Sequence, residues 1–153
     1  MVGTICCISY WSLYGIWSSN CKYNKFIMTQ KEKDLLLKDL CSRLPYGVKA
    51  EKYTIRMDGE IVPLAKIETV TAKDIMALDN CPGYTIKPYL FPLSSMTAEQ
   101  RREYVHIANT CGTIASSQLT GMTTQDWFDK NYLDSRGLIP NGLAHDATHK
   151  NIY

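Results

Sequence analysis

Val48-Lys49-Ala50-Glu51-Lys52-Tyr53-Thr54-Ile55-Arg56-Met57, followed by Asp58-Gly59, is the stretch from which the fold is read. Branched and aromatic side chains are frequent in it, as a pleated, half-buried surface requires. Tyr53, Ile55 and Met57 fall on one side of such a strand and Lys52, Thr54 and Arg56 on the other, so the basic side is expected to meet solvent. Asp58-Gly59 is a two-residue hairpin signal, because both turn positions need positive φ. The strand is therefore expected to fold back, over roughly Glu60 to Val70, with Pro63 marking a sheet edge or bulge because it cannot donate to a ladder.

Upstream, Thr29 and Glu32 form a capping box, which starts a helix one residue after Met28. Leu36, Leu37, Leu40, Cys41 and Leu44 recur at helical spacing, with Lys31, Lys33, Asp34, Lys38, Asp39 and Arg43 mostly on the other side. Pro45 and Gly47 end it. Downstream, Lys73 to Leu78 is expected to be a third strand, Asp79 to Gly83 a turn, and Tyr84 to Phe91 a fourth strand interrupted by Pro88. Thr97 with Gln100 and Thr123 with Asp126 are two further capping boxes, separated by a Thr-, Ser- and Gly-rich loop. The expectation is an α+β domain: an N-terminal helix on a small four-stranded antiparallel sheet or partial barrel, followed by two C-terminal helices.

The chain has 153 residues, with 17 basic and 15 acidic side chains and 45% hydrophobic residues, which excludes collagen-like, coiled-coil and disordered classes. The net charge of +2 lies wholly in residues 1–27, which carry Lys22 and Lys25 and no acid. That segment also holds Cys6, Cys7, Cys21, Trp11 and Trp17. It lacks the basic start and small-residue cleavage site of a secretory signal. Its serines and glycines dilute what would otherwise resemble a membrane span, which needs about 20 mainly apolar residues. A leader outside the domain is expected for 1–27, a single domain over 28–144, and a mobile tail over 145–153. A membrane-anchored small domain is the reading if residues 1–21 are a span.

Catalytic signatures are sparse. The chain has no G-x-S-x-G, P-loop or G-x-G-x-x-G pattern, and no C-x-x-C. Cys41 reads as a small core hydrophobe. His145 and His149 have the i, i+4 spacing of a metal pair, but too few further ligands accompany them, so no metal or cofactor is expected. His106 reads as a surface histidine. Tyr46, Tyr89, Phe91, Trp127 and Tyr132 cluster near element ends and are expected to form a protein-interaction surface, with the domain's own core as the competing role. Lys52 and Arg56, with Lys49, form the face on which nucleic acid would bind.

Three blocks in order carry a resemblance: Lys38-Asp39-Leu40-Cys41-Ser42-Arg43-Leu44-Pro45-Tyr46-Gly47, then Lys87-Pro88-Tyr89-Leu90-Phe91-Pro92-Leu93-Ser94-Ser95-Met96-Thr97, then Asp126-Trp127 with Arg136-Gly137-Leu138-Ile139. They resemble a family of short uncharacterised bacterial proteins often associated with phage or other mobile DNA. The resemblance spans about Met28 to Ala144 and implies a start at Met28 and a mobile-DNA setting but no particular reaction; with that start, the three remaining, widely spaced cysteines suit a reducing cytoplasm. The expected function is a non-enzymatic accessory or protein-interaction domain, with nucleic-acid binding as the alternative.

Overall fold

Thr29 caps the first helix as its sequence requires: the Thr29 amide donates to Glu32 Oε2 at 2.7 Å and the Glu32 amide donates back to Thr29 Oγ1 at 3.3 Å. In the computed structural model, which describes residues 28–56, 60–81, 83–111 and 123–153, this helix is α1, Gln30–Arg43. A short 3-10 turn, Leu44–Tyr46, follows, and Gly47 at φ +70° turns the chain into β1, Lys49–Ile55. β1 pairs antiparallel with β2, Ile61–Thr69, across the Asp58-Gly59 position, which itself lies outside the described residues. Then come α2 (Ala72–Asn80), β3 (Tyr84–Leu90), α3 (Ala98–Cys111), α4 (Thr124–Lys130) and a two-residue β4 (His145–Asp146). The strands lie in the order β2-β1-β3-β4 in a curled sheet.

The α+β class and the partial barrel agree with expectation; several details do not. Lys73 to Leu78 is not a strand but most of α2. Thr71 and Asp74 form a capping box there too, the Thr71 amide donating to Asp74 Oδ2 at 2.8 Å, and Ile75 and Leu78 turn one helical face to the core. The fourth strand comes from the tail: β4 lies parallel to β3, pairing Tyr89 with His145, so the sheet is mixed rather than antiparallel. β3 runs through Pro88 without a break. β2 stands at the sheet edge, where Pro63 is tolerated.

The tail is tied down instead of hanging free. Ala147 and Ile152 are buried, and Tyr153 stacks on Tyr132 with ring centroids 3.9 Å apart. The Tyr153 hydroxyl donates to the Tyr89 carbonyl at 2.8 Å and accepts from the Lys49 amide at 3.0 Å. Residues 1–27 lie outside the described residues, and so do the expectations about them. No helix among the described residues is long and apolar enough to cross a membrane.

The principal core joins α1, α2 and the inner side of the sheet through Leu36, Leu40, Val48, Ala50, Leu78, Ile86, Leu90 and Leu138. The buried stripe of α1 is Leu36, Asp39, Leu40 and Arg43, at i, i+3, i+4 and i+7. Cys41, expected in that stripe, is exposed. Asp39 and Arg43, expected outside it, are fully buried because their charges are met in place. Arg43 Nε lies 2.8 Å from Asp39 Oδ2, Arg43 Nη2 lies 3.3 Å from Asp129 Oδ1, and Arg136 Nη1 lies 2.7 Å from both Asp39 Oδ1 and Asp129 Oδ1. Arg43 Nη2 also donates to the Leu133 carbonyl at 2.8 Å. Burial opposes ionisation of Asp129, yet hydrogen bonding by Arg136 and the charge of Arg43 hold its carboxyl below the ordinary range.

Removing one member strands the others in a dry interior. Arg43→Ala is expected to lower the unfolding free energy by about 3–5 kcal/mol in urea titration; an unchanged midpoint would show that the quartet does not tie α1 to α4. Ile152→Ala is expected to cost about 2 kcal/mol, since it empties a filled site under the tail. A free tail would leave stability unaltered by that change.

Candidate functional site

β1 presents two different sides. Ala50, Lys52 and Thr54 pair in register with Pro88, Ile86 and Tyr84 and share the side that carries the core, whereas Glu51 and Tyr53 lie opposite Lys87 and Thr85 on the other. This reverses the expected assignment, in which the lysine side met solvent. Lys52 Nζ lies 3.0 Å from both Asp74 Oδ1 on α2 and Glu68 Oε2 on β2, which neutralises it. Arg56 pairs with Glu60 at 3.3 Å, and Lys49 Nζ donates to the Ile152 carbonyl at 2.6 Å. The three basic residues expected to form a nucleic-acid face therefore have their charges engaged within the chain.

Of the five aromatics expected at an interaction surface, Trp127 and Tyr89 are drawn inward and Tyr46, Phe91 and Tyr132 are half-buried. Trp127 is 1% exposed and packs on Tyr104 and Phe128. Tyr89 is buried. Tyr132 stacks on Tyr153 and its hydroxyl donates to the Tyr46 carbonyl. Phe91 is half-buried beside Tyr153, with ring centroids 6.0 Å apart. Of the five, Phe91 is the one that also lines a cleft.

The outer side of the sheet gathers the ionisable groups that sequence reasoning left apart. Glu51 accepts hydrogen bonds from the hydroxyls of Tyr53 and Tyr89, one on each carboxylate oxygen. His145, brought beside Tyr89 by the parallel pairing of β4, stacks on its ring at 5.0 Å between centroids. His145 Nε2 is 3.2 Å from Tyr53 Oη and 3.4 Å from Glu51 Oε2. Lys150 Nζ sits 4.7 Å from the centroid of the Tyr89 ring. The side chains of Glu51 and His145 are 29% and 28% exposed, so water and solutes reach them.

Charge sets the protonation of this cluster. Hydrogen bonds from Tyr53 and Tyr89 hold Glu51 below the ordinary carboxylate range. Burial and the Glu51 charge push Tyr53 well up and Tyr89 up to about 12. Burial, reinforced by the ammonium groups of Lys87 and Lys150 and opposed by Glu51, holds the His145 imidazolium below its ordinary range. The imidazole is thus neutral at neutral pH. Tyr53 has one hydroxyl proton and gives it to Glu51, so its oxygen accepts from His145; this assigns the His145 proton to Nε2 and leaves a lone pair on Nδ1. A carboxylate and a phenol orienting an imidazole through one nitrogen is the arrangement that readies the other nitrogen as a base.

Two clefts border the cluster. One, of about 370 Å³, is lined by Tyr53, Ile55, Thr85 and Lys87 together with Met28 and Leu143. The other, of about 500 Å³, is lined by Phe91, Leu133, Thr97, Gln100, His149 and Lys150. Each therefore carries one aromatic ring and one lysine. Lys87 and Lys150 make no salt bridge among the described residues. His149 does not join His145: it is exposed, at φ +72°, and no group of three potential metal ligands occurs among the described residues.

Glu51, Tyr53, Lys87 and Lys150 were missed because a two-sided strand does not announce which side is covered. Ala50 alternating with Lys49 and Glu51 is the signal that was there, a small apolar residue that packs under a helix. In comparisons with family models, with curated proteins and with solved structures, nothing matches the chain.

The lowered affinity of His145 for protons fixes a pH dependence. Because the folded state holds its proton less tightly than the unfolded state, the contribution is complete above the ordinary histidine value of 6.5 and is lost as pH falls below it. Thermal melting is expected to decline from pH 7 toward pH 5, and His145→Gln is expected to flatten that part of the profile. A slope identical in both chains would place the titrating group elsewhere.

Proposed function

We propose that the protein binds single-stranded nucleic acid across the outer side of its sheet, as an accessory protein in the mobile-DNA setting that the three sequence blocks suggest. The observation that carries this reading is the repeated pairing of one aromatic ring with one ammonium lacking a salt bridge among the described residues, Tyr53 with Lys87 and Phe91 with Lys150, on either side of His145. Single strands are held by stacking of bases on aromatic faces and by cations along the backbone, and neither needs a strongly basic protein overall. Polar groups of the clefts, Thr85 in one and Thr97 and Gln100 in the other, add hydrogen-bond capacity; Glu32, which also lines the Lys87 cleft, is the one carboxylate among the lining residues of the two.

A protein partner is the second reading. With Trp127, Tyr89 and Tyr132 packed internally, such a partner would meet other apolar groups, of which Leu64, Ile67 and Met76 are 54%, 40% and 65% exposed. Stoichiometric co-purification of a protein from the native host, lost on Leu64→Asp, supports that reading.

Fluorescence anisotropy of a labelled, 2′-O-methylated single-stranded RNA separates the two. Two phosphates neutralised on a single strand give a slope of about −1.4 in log K against log salt. Lys87→Ala with Lys150→Ala is expected to abolish binding, and Lys52→Ala with Arg56→Ala to leave it intact. Retention of binding in the first double variant would remove the reading.

A further inference from the structure

We infer that this face also cleaves RNA, by attack of the 2′-hydroxyl on the adjacent phosphodiester, with His145 as the base. The inference rests on the nucleic-acid reading above and adds chemistry to it. The cluster supplies a neutral imidazole held by Glu51 and Tyr53 through Nε2, and it places two ammonium groups around that ring, Lys87 opposite Glu51 in register and Lys150 over Tyr89. Among the described residues the cluster itself holds no serine or cysteine, and Ser95, which lines the neighbouring Lys150 cleft, gives its hydroxyl proton to the Pro92 carbonyl at 2.7 Å. A substrate suited to such a site brings its own nucleophile next to the scissile bond, and RNA does so at every nucleotide.

The step balances without any co-reactant. Nδ1 of His145 takes the 2′-hydroxyl proton, the 2′ oxygen forms a bond to phosphorus, and the bond from phosphorus to the 5′ oxygen breaks. That leaving oxygen takes a proton from the ammonium of Lys87, while Lys150 offsets the charge that builds on the phosphoryl oxygens. The products are a 2′,3′-cyclic phosphate and a 5′-hydroxyl. Exchange with water then returns the proton from His145 and restores that of Lys87.

The groups facing His145 are Glu51 and Tyr53 from β1, Lys87 and Tyr89 from β3, and Lys150 from the tail. Glu51 favours the imidazolium; burial and the two ammonium groups oppose it and prevail. The rate is therefore expected to rise with pH as His145 loses its proton and to level off once the ring is neutral.

The test uses the full chain, in EDTA, with a single-stranded RNA oligonucleotide carrying a fluorophore and quencher, its DNA counterpart and its 2′-O-methyl counterpart. The RNA is expected to be cut, leaving 2′,3′-cyclic phosphate ends, and the other two to stay whole. His145→Ala is expected to lower kcat/KM by about 10²–10⁴-fold. Because His145 also packs on Tyr89, Lys150→Ala is measured in parallel: its side chain is exposed, circular dichroism should show an unchanged fold, and the rate should drop roughly tenfold or more. Intact RNA, or cutting that both variants leave unchanged, overturns the inference. Tight binding of the 2′-O-methyl strand with intact RNA removes the catalysis and leaves the binding reading standing; absence of binding removes both.

Discussion

Four charges closed on one another, Asp39, Arg43, Asp129 and Arg136, set the terms for everything else in this domain. Any one of them isolated in a dry interior would cost several kcal/mol, so α1, α4 and the loop that follows α4 are acceptable only as a set. Arg43 extends the constraint into the backbone, donating to the carbonyls of Leu133, Phe128 and Asp129. Asp134, in the same loop, accepts from the amides of Leu138 and Ile139 at 2.7 and 2.8 Å. The segment from Leu133 to Ile139 is thereby shaped by carboxylates rather than by regular secondary structure. Phe91 donates its amide to the Tyr132 carbonyl and accepts at its own carbonyl from the Asp134 amide, which delivers the end of β3 to that segment.

Local rules were legible where a residue's neighbours in sequence are also its partners in space. The capping boxes at Thr29, Thr97 and Thr123 formed as written, because each needs two partners three positions apart and nothing else. The box at Thr71 was equally local and was overlooked under a strand reading of Lys73 to Leu78. Asp39 and Arg43 were not legible: a stripe built from apolar residues puts a charged pair outside, and the partners that reverse that placement lie far along the chain. Cys41 changed places with them for the same reason.

The site shows the same division. Lys52, Arg56 and Lys49 were visible as cations in a strand, but whether a cation is available depends on Asp74, Glu68, Glu60 and a carbonyl of the tail, none of which the strand reveals. His145 was visible as a histidine and invisible as a neighbour of Glu51, since only the parallel pairing of β4 with β3 brings them together. A residue read as part of a mobile tail is thus held against Glu51, Tyr53 and Tyr89 on the outer side of the sheet.

The separation of Arg43 from Asp129, 86 residues, also has a consequence during synthesis. At about 5–20 residues per second, α1 waits roughly 4–17 s for the charges that allow it to be buried. Through that interval the helix carries a salt-bridged pair with one apolar edge and no core to enter. The Asp39–Arg43 contact, made across little more than one turn of helix, keeps both charges hydrated and mutually occupied until translation supplies their partners. The pair that anchors the finished domain can therefore serve the nascent chain first, as a polar guard on a surface that would otherwise be free to associate with the wrong neighbour.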